Sequence, residues 1–185
     1  MNSRLKILLV ISLLVPAPLA AADDAEVLAL ARETIKAARY AALVTVDEQG
    51  QPRARTVDPF LPDDNFVVWV ATRPVTRKVS QIRANPGVTL YYFDPASRSY
   101  VTLMGQARLI EDLATRQAMR READSDRFYP DFPEDYLLIR IEPDYLEAIV
   151  PGYRGDPESW APARVEFTRS SPSRSGQSPG ADSSP

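Results

Sequence analysis

The chain has 185 residues, of which 22 are basic and 25 acidic, and its net charge of −3 argues against a general nucleic-acid-binding surface. Cysteine is absent, so no disulfide can stabilise the fold. Histidine is also absent, which excludes Ser-His-Asp and Cys-His catalysis, the usual zinc sites and a histidine-ligated haem. We therefore expect no metal site, and we expect any chemistry to depend on a bound cofactor or on carboxylates.

The first residues have the composition of a secretory signal peptide. A short basic start is followed by an apolar core at 7–15 and by the small residues of "PAPLAAADD". The apolar core is short and is followed at once by Pro16 and Pro18, so we expect no stable membrane span after processing. The prediction is a cleaved signal peptide over 1–22 and export to the periplasm or the medium, with an uncleaved anchor as the alternative.

The other end of the chain is also expected to lie outside the fold. Residues 169–185 are rich in Ser, Pro and Gly and have almost no apolar side chains, which is typical of a disordered tail. The sequence thus predicts a single domain over 23–168, long enough to bury a core.

The first half of this domain alternates between helical and strand patterns. Asp23 or Asp24 is a candidate N-cap for a helix with apolar residues at helical spacing. Segments 41–47 and 51–58 predict a hairpin, and 65–71 predicts a third strand. A short helix is then expected after Thr72 as N-cap, with Pro74 in its first turn and its end at Asn85-Pro86-Gly87.

The second half is mainly β. Segments 88–94 and 99–111 predict another hairpin, in which Gly105 indicates a bulge or the close approach of another backbone. Segment 112–124 is predicted to be helical, and 136–150 to form two strands broken at Pro143-Asp144. Six or seven short strands with few helices indicate a mainly β (α+β) fold, a closed or half-closed antiparallel barrel.

A cluster of cations and hydroxyls follows the third predicted strand: Thr72, Arg73, Thr76, Arg77 and Lys78. A helix N-terminus favours anions, so cations at this position repel the helix dipole unless an anion binds. Guanidinium and hydroxyl groups are suited to a phosphate. The cluster therefore indicates a phosphate site, and the alternative is a solvated basic face.

Two further arginines bear on that choice. Arg53 and Arg55 lie on the same face of the second predicted strand. If that face points inward, both need anionic partners; the alternative is a salt bridge at the rim with Asp58, Asp63 or Asp64.

Three segments resemble one known family. "GQPRARTVD", "FVVWVATRPVTRKVSQIRANPGVTLYYFD" and "SYVTLMGQARLIED" are similar to the pyridoxamine 5′-phosphate oxidase-like FMN-binding split barrels, and in particular to their general-stress-protein branch. The resemblance implies a six-stranded antiparallel split β-barrel that forms a homodimer, with FMN, or a deazaflavin in its place, in a groove at the dimer interface.

The resemblance also implies cofactor contacts. Arg55 matches an arginine that binds the flavin phosphate, and Tyr100 matches a glutamine that reaches FMN from the partner subunit. Thr72 and Thr76 match hydroxyl positions near the phosphate. Arg77 and Lys78 match an Arg-Lys pair that binds the phosphate. The residues implied beside the isoalloxazine ring are Thr56, Val57 and Asp58.

The departures from the family pattern narrow the function. The C-terminal segment "PGYRGDPESWAPARVEF" lacks the substrate-binding pattern of true pyridoxamine phosphate oxidases, and Phe60 replaces a lysine that often lies beside the flavin ring. We therefore expect a flavin-dependent oxidoreductase acting on an unknown small molecule outside the cytoplasm. The alternatives are a non-catalytic module that binds a flavin, deazaflavin or other anion, and a structural protein with an empty groove.

No residue stands out as a general acid or base, so the catalytic residues stay unassigned. The tyrosines at 91, 92 and 100 are expected to be packing residues, and "VVWV" and "LYYF" to form core and dimer contacts. Glu111, Asp112, Glu122 and Asp124 are expected on a solvated face.

Overall fold

The computed structural model describes residues 23–168, so both the predicted signal peptide and the predicted tail lie outside the described residues. The elements in chain order are α1 (Asp24–Ala38), β1 (Ala41–Val46), β2 (Pro52–Val57), β3 (Val68–Thr72), α2 (Arg77–Ala84), β4 (Gly87–Asp94), β5 (Ser99–Ile110), α3 (Leu113–Ala118), β6 (Leu137–Ile149) and β7 (Ala163–Glu166). None of these helices is long and apolar enough to cross a membrane.

The strands form a single antiparallel sheet in the order β2-β1-β4-β5-β6-β3, with β7 also paired to β6. The sheet curls without closing, because its end strands meet at only a Pro59–Val70 bridge, beside which Phe60 N–H donates to the Trp69 carbonyl at 2.8 Å. The predicted mainly β split barrel is confirmed. The last strand was predicted to end at Val150, but the sheet also contains a later strand, β7.

The apolar face of α1 covers the core. Asp23 caps this helix by accepting the N–H of Ala25 at 3.2 Å, as predicted. Val27, Ala31 and Ile35 are buried among the inward side chains of the sheet. Burial of a Val or Ile side chain contributes roughly 1.5–3 kcal/mol to the free energy of unfolding. These contacts hold α1 against the sheet.

Two predicted boundaries at β3 and α2 are wrong. The third strand begins at Val68 rather than at 65, because the Asp63 side chain accepts the N–H groups of Asn65 and Val67 and holds this stretch in a turn. Thr72 is not an N-cap: it ends β3, and α2 begins only after Thr76.

The predicted break at Pro143-Asp144 is also wrong, since β6 runs without interruption through both residues. Instead, the pairing of β5 with β6 shifts between Met104 and Gly105, so that Gly105 lies opposite Pro143 and Met104 opposite Tyr145. Asp144 is thus the extra residue of a bulge.

The close backbone approach predicted at Gly105 is confirmed. A Cβ atom added there would lie 2.1 Å from the carbonyl oxygen of Glu142 and 2.8 Å from Cα of Pro143. No real Cβ contact is that short, so only glycine fits unless the two backbones separate.

Gly105→Ala should therefore reduce the free energy of unfolding by about 1–3 kcal/mol, the usual cost of forcing extra atoms into a packed site. Urea unfolding at neutral pH measures the loss. Gly87→Ala is the matched control, because its Cβ would have only the Asn85 side-chain oxygen nearby, at 3.2 Å. Equal stability of the two variants would contradict the role given to Gly105.

Candidate functional site

A cleft of about 550 Å³ opens where the two end strands of the sheet separate. The strand ends and the start of α2 supply one group of lining residues: Thr56, Val57, Asp58, Ala71, Thr72, Arg73, Thr76 and Lys78. Six of the predicted cofactor residues are in this group, so the curl of the sheet brings together residues 56–58 and 71–78, which are 13 to 22 positions apart. Arg55, Arg77 and Tyr100 do not line the cleft.

The hydroxyls of the cluster form a chain of hydrogen bonds. Lys78 Nζ donates to Thr72 Oγ1 at 2.9 Å, and Thr72 Oγ1 lies 3.1 Å from Thr76 Oγ1. Since the Thr76 hydroxyl donates to the Arg73 carbonyl at 2.9 Å, Thr72 is the donor between the two threonines. Thr76 makes no side-chain cap for α2, although its carbonyl accepts the N–H of Val79 at 2.9 Å.

Arg55 is half-buried and held by neutral acceptors only. Its guanidinium donates to the Leu43 carbonyl at 3.1 Å, to Thr45 Oγ1 at 2.7 Å and to Gln81 Oε1 at 3.0 Å. The Thr45 hydroxyl in turn donates to Gln81 at 2.6 Å, so these three side chains form one connected network. Arg55 is thereby held in place without any neutralising charge.

The second arginine of β2 behaves differently. Arg53 is exposed and pairs with Asp47 at 2.7 Å, so the predicted inward pair is reduced to Arg55 alone. The rim partner is Asp47 from the end of β1, and not Asp58, Asp63 or Asp64. The hairpin register explains this, because residues just before the turn face those just after it.

Three cations lie close to one another beside the cleft, although Arg77 is exposed and lines a separate depression that also contains Asp47 and Glu48. Among the described residues, Arg55, Arg77 and Lys78 form no salt bridge, although nine other ion pairs are present. Burial, and after it the charge of Arg77, lowers the pKa of Arg55. Burial and the charge of Arg55 likewise lower the pKa of Lys78. Mutual repulsion and desolvation both oppose these charges, so an anion bound here would be stabilised.

Most of the remaining lining residues come from 119–136, and Arg39 and Tyr40 at the end of α1 complete the lining. The sequence alone left open whether the loop at 126–136 folds over the groove. Arg121, Asp124, Phe128 and Tyr129 all line the cleft. The predicted helix 112–124 ends early, at Ala118, because the Asp124 carboxylate accepts the backbone N–H of Arg121 at 3.1 Å in place of a helical carbonyl.

Asp124 is the centre of a buried network, which corrects its expected place on a solvated face. Only 4 % of the residue is exposed. Its carboxylate pairs with Arg121 at 2.9 Å and accepts the Tyr136 hydroxyl at 2.9 Å. Burial alone would raise the pKa of Asp124, but the hydrogen bonds from Arg121 and Tyr136 outweigh it and hold the pKa below its ordinary value.

Arg121 ties this segment to the end of β2. It donates to the carbonyls of Asp58 at 3.1 Å and Pro59 at 3.4 Å, and its guanidinium lies 4.1 Å from the centre of the Phe60 ring. A cation thus stacks on Phe60, the residue found where the family often has a lysine. Sequence reasoning missed Arg121 and Asp124 because their spacing in "RREAD" is that of an ordinary exposed helical pair.

Tyr100 lies on the outer face of the sheet, away from the cleft of its own chain. Its ring is 5.6 Å from that of Tyr91, and Phe93 lies directly opposite it on β4. Tyr91 and Phe93 are 39 % and 47 % exposed, whereas the intervening Tyr92 is fully buried in the core. The face formed by these three residues, Tyr91, Phe93 and Tyr100, is called the outer aromatic face below.

Residues 28–149 match the family described as "Pyridoxamine 5′-phosphate oxidase". This match covers more than half of the chain, which therefore belongs to that family. No curated protein is detectably similar to the chain in sequence.

Solved structures show the same fold. A protein related to general stress protein 26 of B. subtilis, from Clostridium acetobutylicum, is 17 % identical with a TM-score of 0.66 over 78 % of this chain and 96 % of its own. A pyridoxamine 5′-phosphate oxidase-related, FMN binding protein from Nostoc punctiforme is 20 % identical, with a TM-score of 0.57 over 82 % of this chain and 99 % of its own. An F420 reductase is also 20 % identical, with a TM-score of 0.51 over 62 % of this chain and 94 % of its own.

The Asp124 network predicts a pH-dependent contribution to stability. Asp124→Asn should lower the free energy of unfolding at pH 7 by about 1–3 kcal/mol, because a charged hydrogen-bonding group is replaced by a neutral one. The folded-state pKa lies below the unfolded value of about 3.9, so the contribution is present above that value and is lost as pH falls through the folded pKa.

Urea unfolding at pH 7 and at about pH 3 measures the difference. Asp58→Asn is the control, since the Asp58 carboxylate is 3.9 Å from Arg121 and 37 % exposed. If the difference in the free energy of unfolding between wild type and Asp124→Asn stays constant down to low pH, the carboxylate charge is not the cause of the stabilisation.

Proposed function

We propose that the chain is an FMN-binding protein whose cofactor phosphate is held by Arg55, Arg77 and Lys78. The observation that carries this proposal is the proximity of three cations, two of them half-buried, none of which forms a salt bridge with a described residue. A fold does not accumulate unpaired, partly buried charges of one sign for stability, because burial and repulsion both oppose them. A dianionic phosphate would relieve both costs.

The neighbouring groups suit the rest of the cofactor. Thr72 and Thr76 would add hydrogen bonds from the hydroxyl chain beside Lys78. The end of β2, from Thr56 through Val57 to Asp58, would lie along the isoalloxazine ring, because it lines the cleft that continues from these hydroxyls. Bound FMN supplies the electron transfer, while the protein binds and orients it.

Within the family, we propose a flavin-dependent oxidoreductase for a small molecule rather than a true pyridoxamine phosphate oxidase. The C-terminal segment supports this: residues 163–166 form β7 on the edge of β6, a structural use of the stretch in which the substrate pattern is missing. A deazaflavin is the alternative cofactor, because an F420 reductase shares the fold and the phosphate site does not discriminate between ring systems. Binding without turnover is the alternative function.

Two further parts of the proposal concern place and assembly. The sequence of 1–22 supports export to the periplasm or the medium after cleavage. The outer aromatic face supports a homodimer, because a group of exposed aromatic side chains on a sheet surface is typical of an interface. In such a dimer Tyr100 would contact the flavin bound by the partner subunit.

The phosphate assignment predicts a difference between two flavins. Arg77→Ala and Lys78→Met should each weaken FMN binding by about ten- to a hundredfold, because each removes a charge-assisted hydrogen bond. Riboflavin lacks the phosphate, so its affinity should change much less. Quenching of flavin fluorescence on titration with the protein measures both affinities.

Arg83→Ala is the matched control for this experiment. Arg83 lies on the same helix, but it is exposed and pairs with Glu111 at 2.7 Å. FMN affinity should be unchanged in this variant. The assignment would be wrong if both flavins lost affinity equally in Arg77→Ala and Lys78→Met, and a wild type that binds neither flavin would refute flavin binding itself.

The outer aromatic face predicts the oligomeric state. Sedimentation of residues 23–185 at micromolar concentration should show a dimer, and Tyr91→Arg should shift it to a monomer by placing a charge in the interface. Trp160→Arg is the control, because Trp160 is 81 % exposed but lies outside that face. A monomeric wild type, or a Tyr91→Arg variant that stays dimeric, would contradict the interface.

A further inference from the structure

One buried polar group in the cleft is not used by the proposed cofactor contacts. Tyr129 is only 8 % exposed, and its ring packs edge-on against Tyr136 with centroids 4.8 Å apart. No described residue forms a hydrogen bond with its hydroxyl, although the hydroxyl of neighbouring Tyr136 is bound to Asp124. A hydroxyl that makes no hydrogen bond within the protein can bond to water or to a ligand instead.

The Tyr129 hydroxyl opens into the cleft. The hydroxyl of Tyr92 is fully enclosed and unpartnered, whereas that of Tyr129 is not enclosed. Because Tyr129 lines the cleft, its hydroxyl must retain contact with solvent through that opening. It is therefore positioned to donate to a ligand.

The charges around this hydroxyl are balanced. Arg121 pairs with Asp124 at 2.9 Å, and Arg73 lies 3.8 Å from Asp135. Burial, and after it the negative charge of Asp124, raises the pKa of Tyr129 to about 12. The hydroxyl therefore keeps its proton at any physiological pH. A neutral donor between paired charges favours a neutral acceptor over an anion.

An apolar surface lies beside the donor. Phe128 precedes Tyr129 in the chain, lines the same cleft and is 57 % exposed. An exposed aromatic ring next to a hydrogen-bond donor matches a planar ligand with one polar atom.

We propose that Tyr129 and Phe128 form a substrate subsite that binds a small, planar, neutral molecule through its carbonyl oxygen. The subsite rests on the proposed function in that this molecule would share the cleft with the flavin. The Tyr129 hydroxyl donates to the carbonyl, and the Phe128 ring packs on the planar part of the ligand. Arg121 and Asp124 are positioning residues that hold the segment against the end of β2.

Three fluorinated probes of similar size test the subsite by ¹⁹F NMR titration of residues 23–185 without flavin. They are 4-fluoroacetophenone with a neutral carbonyl, 4-fluorobenzoate with a carboxylate, and 4-fluorotoluene with no acceptor. Wild type should bind the acetophenone more tightly than the toluene. Tyr129→Phe should weaken that binding about two- to tenfold, the effect of one neutral hydrogen bond, and leave the toluene unaffected.

Two variants complete the test. Phe128→Ala should weaken all three probes, because it removes the shared apolar contact. Tyr153→Phe should weaken none, since Tyr153 packs against the core rather than in the cleft. Equal binding of the acetophenone to wild type and Tyr129→Phe, a larger effect of Tyr129→Phe on the benzoate than on the acetophenone, or no binding of any probe would each overturn the subsite.

A separate FMN titration distinguishes this subsite from the proposed function. FMN affinity should be the same in wild type and Tyr129→Phe. If the acetophenone binds in a Tyr129-dependent way while FMN does not bind, flavin binding fails and the subsite stands. If FMN binds but the acetophenone does not, the subsite fails and flavin binding stands.

Discussion

The close pairing of β5 with β6 at Gly105 is the constraint on which the rest of the fold depends. β6 has 13 residues and carries β5 along one edge, while β3 pairs with its first part and β7 with its last part along the other. The change between these two partners falls at the bulge around Pro143, whose missing N–H cannot join a ladder. Without a side chain at 105, β5 can stay in contact across this irregular stretch, and the sheet can curl until Pro59 reaches Val70.

That curl explains why the cleft exists and why its charges are tolerated. The sheet stops short of closing, so the ends of β2 and β3 leave their side chains at an opening instead of in a core. Arg55 lies on β2 beside this opening, without lining it, and is held by three neutral acceptors that bind its N–H groups without cancelling its charge. The network therefore fixes the geometry of the cation while leaving its field directed at a ligand. If the proposed phosphate binds here, such a site would lower the stability of the empty protein in exchange for affinity.

The sequence allowed most of the strands to be predicted, because alternation and turn residues are local signals. The hairpins, the strand at 88–94, the helix capped by Asp23 and the close approach at Gly105 all follow from such signals. The errors arose where a side chain replaced a backbone partner. Asp63 holds 65–67 in a turn, and Asp124 ends α3 by accepting the N–H of Arg121. The partners of Arg55 could not be predicted either, because Thr45 and Gln81 are brought to it only by the curl of the sheet.

The two groups of cleft residues also differ in how they depend on the rest of the fold. The residues assigned to the cofactor lie at strand ends and at the start of α2, where the pairing of the sheet sets their positions. The cleft residues from 119–136 are held instead by hydrogen bonds and an ion pair around Asp124, and by the contact of Arg121 with the backbone just after β2. Changes in this second group can reshape the surface that faces a substrate without disturbing the sheet. In the proposed function, cofactor binding and substrate choice would therefore be carried by separate parts of the chain.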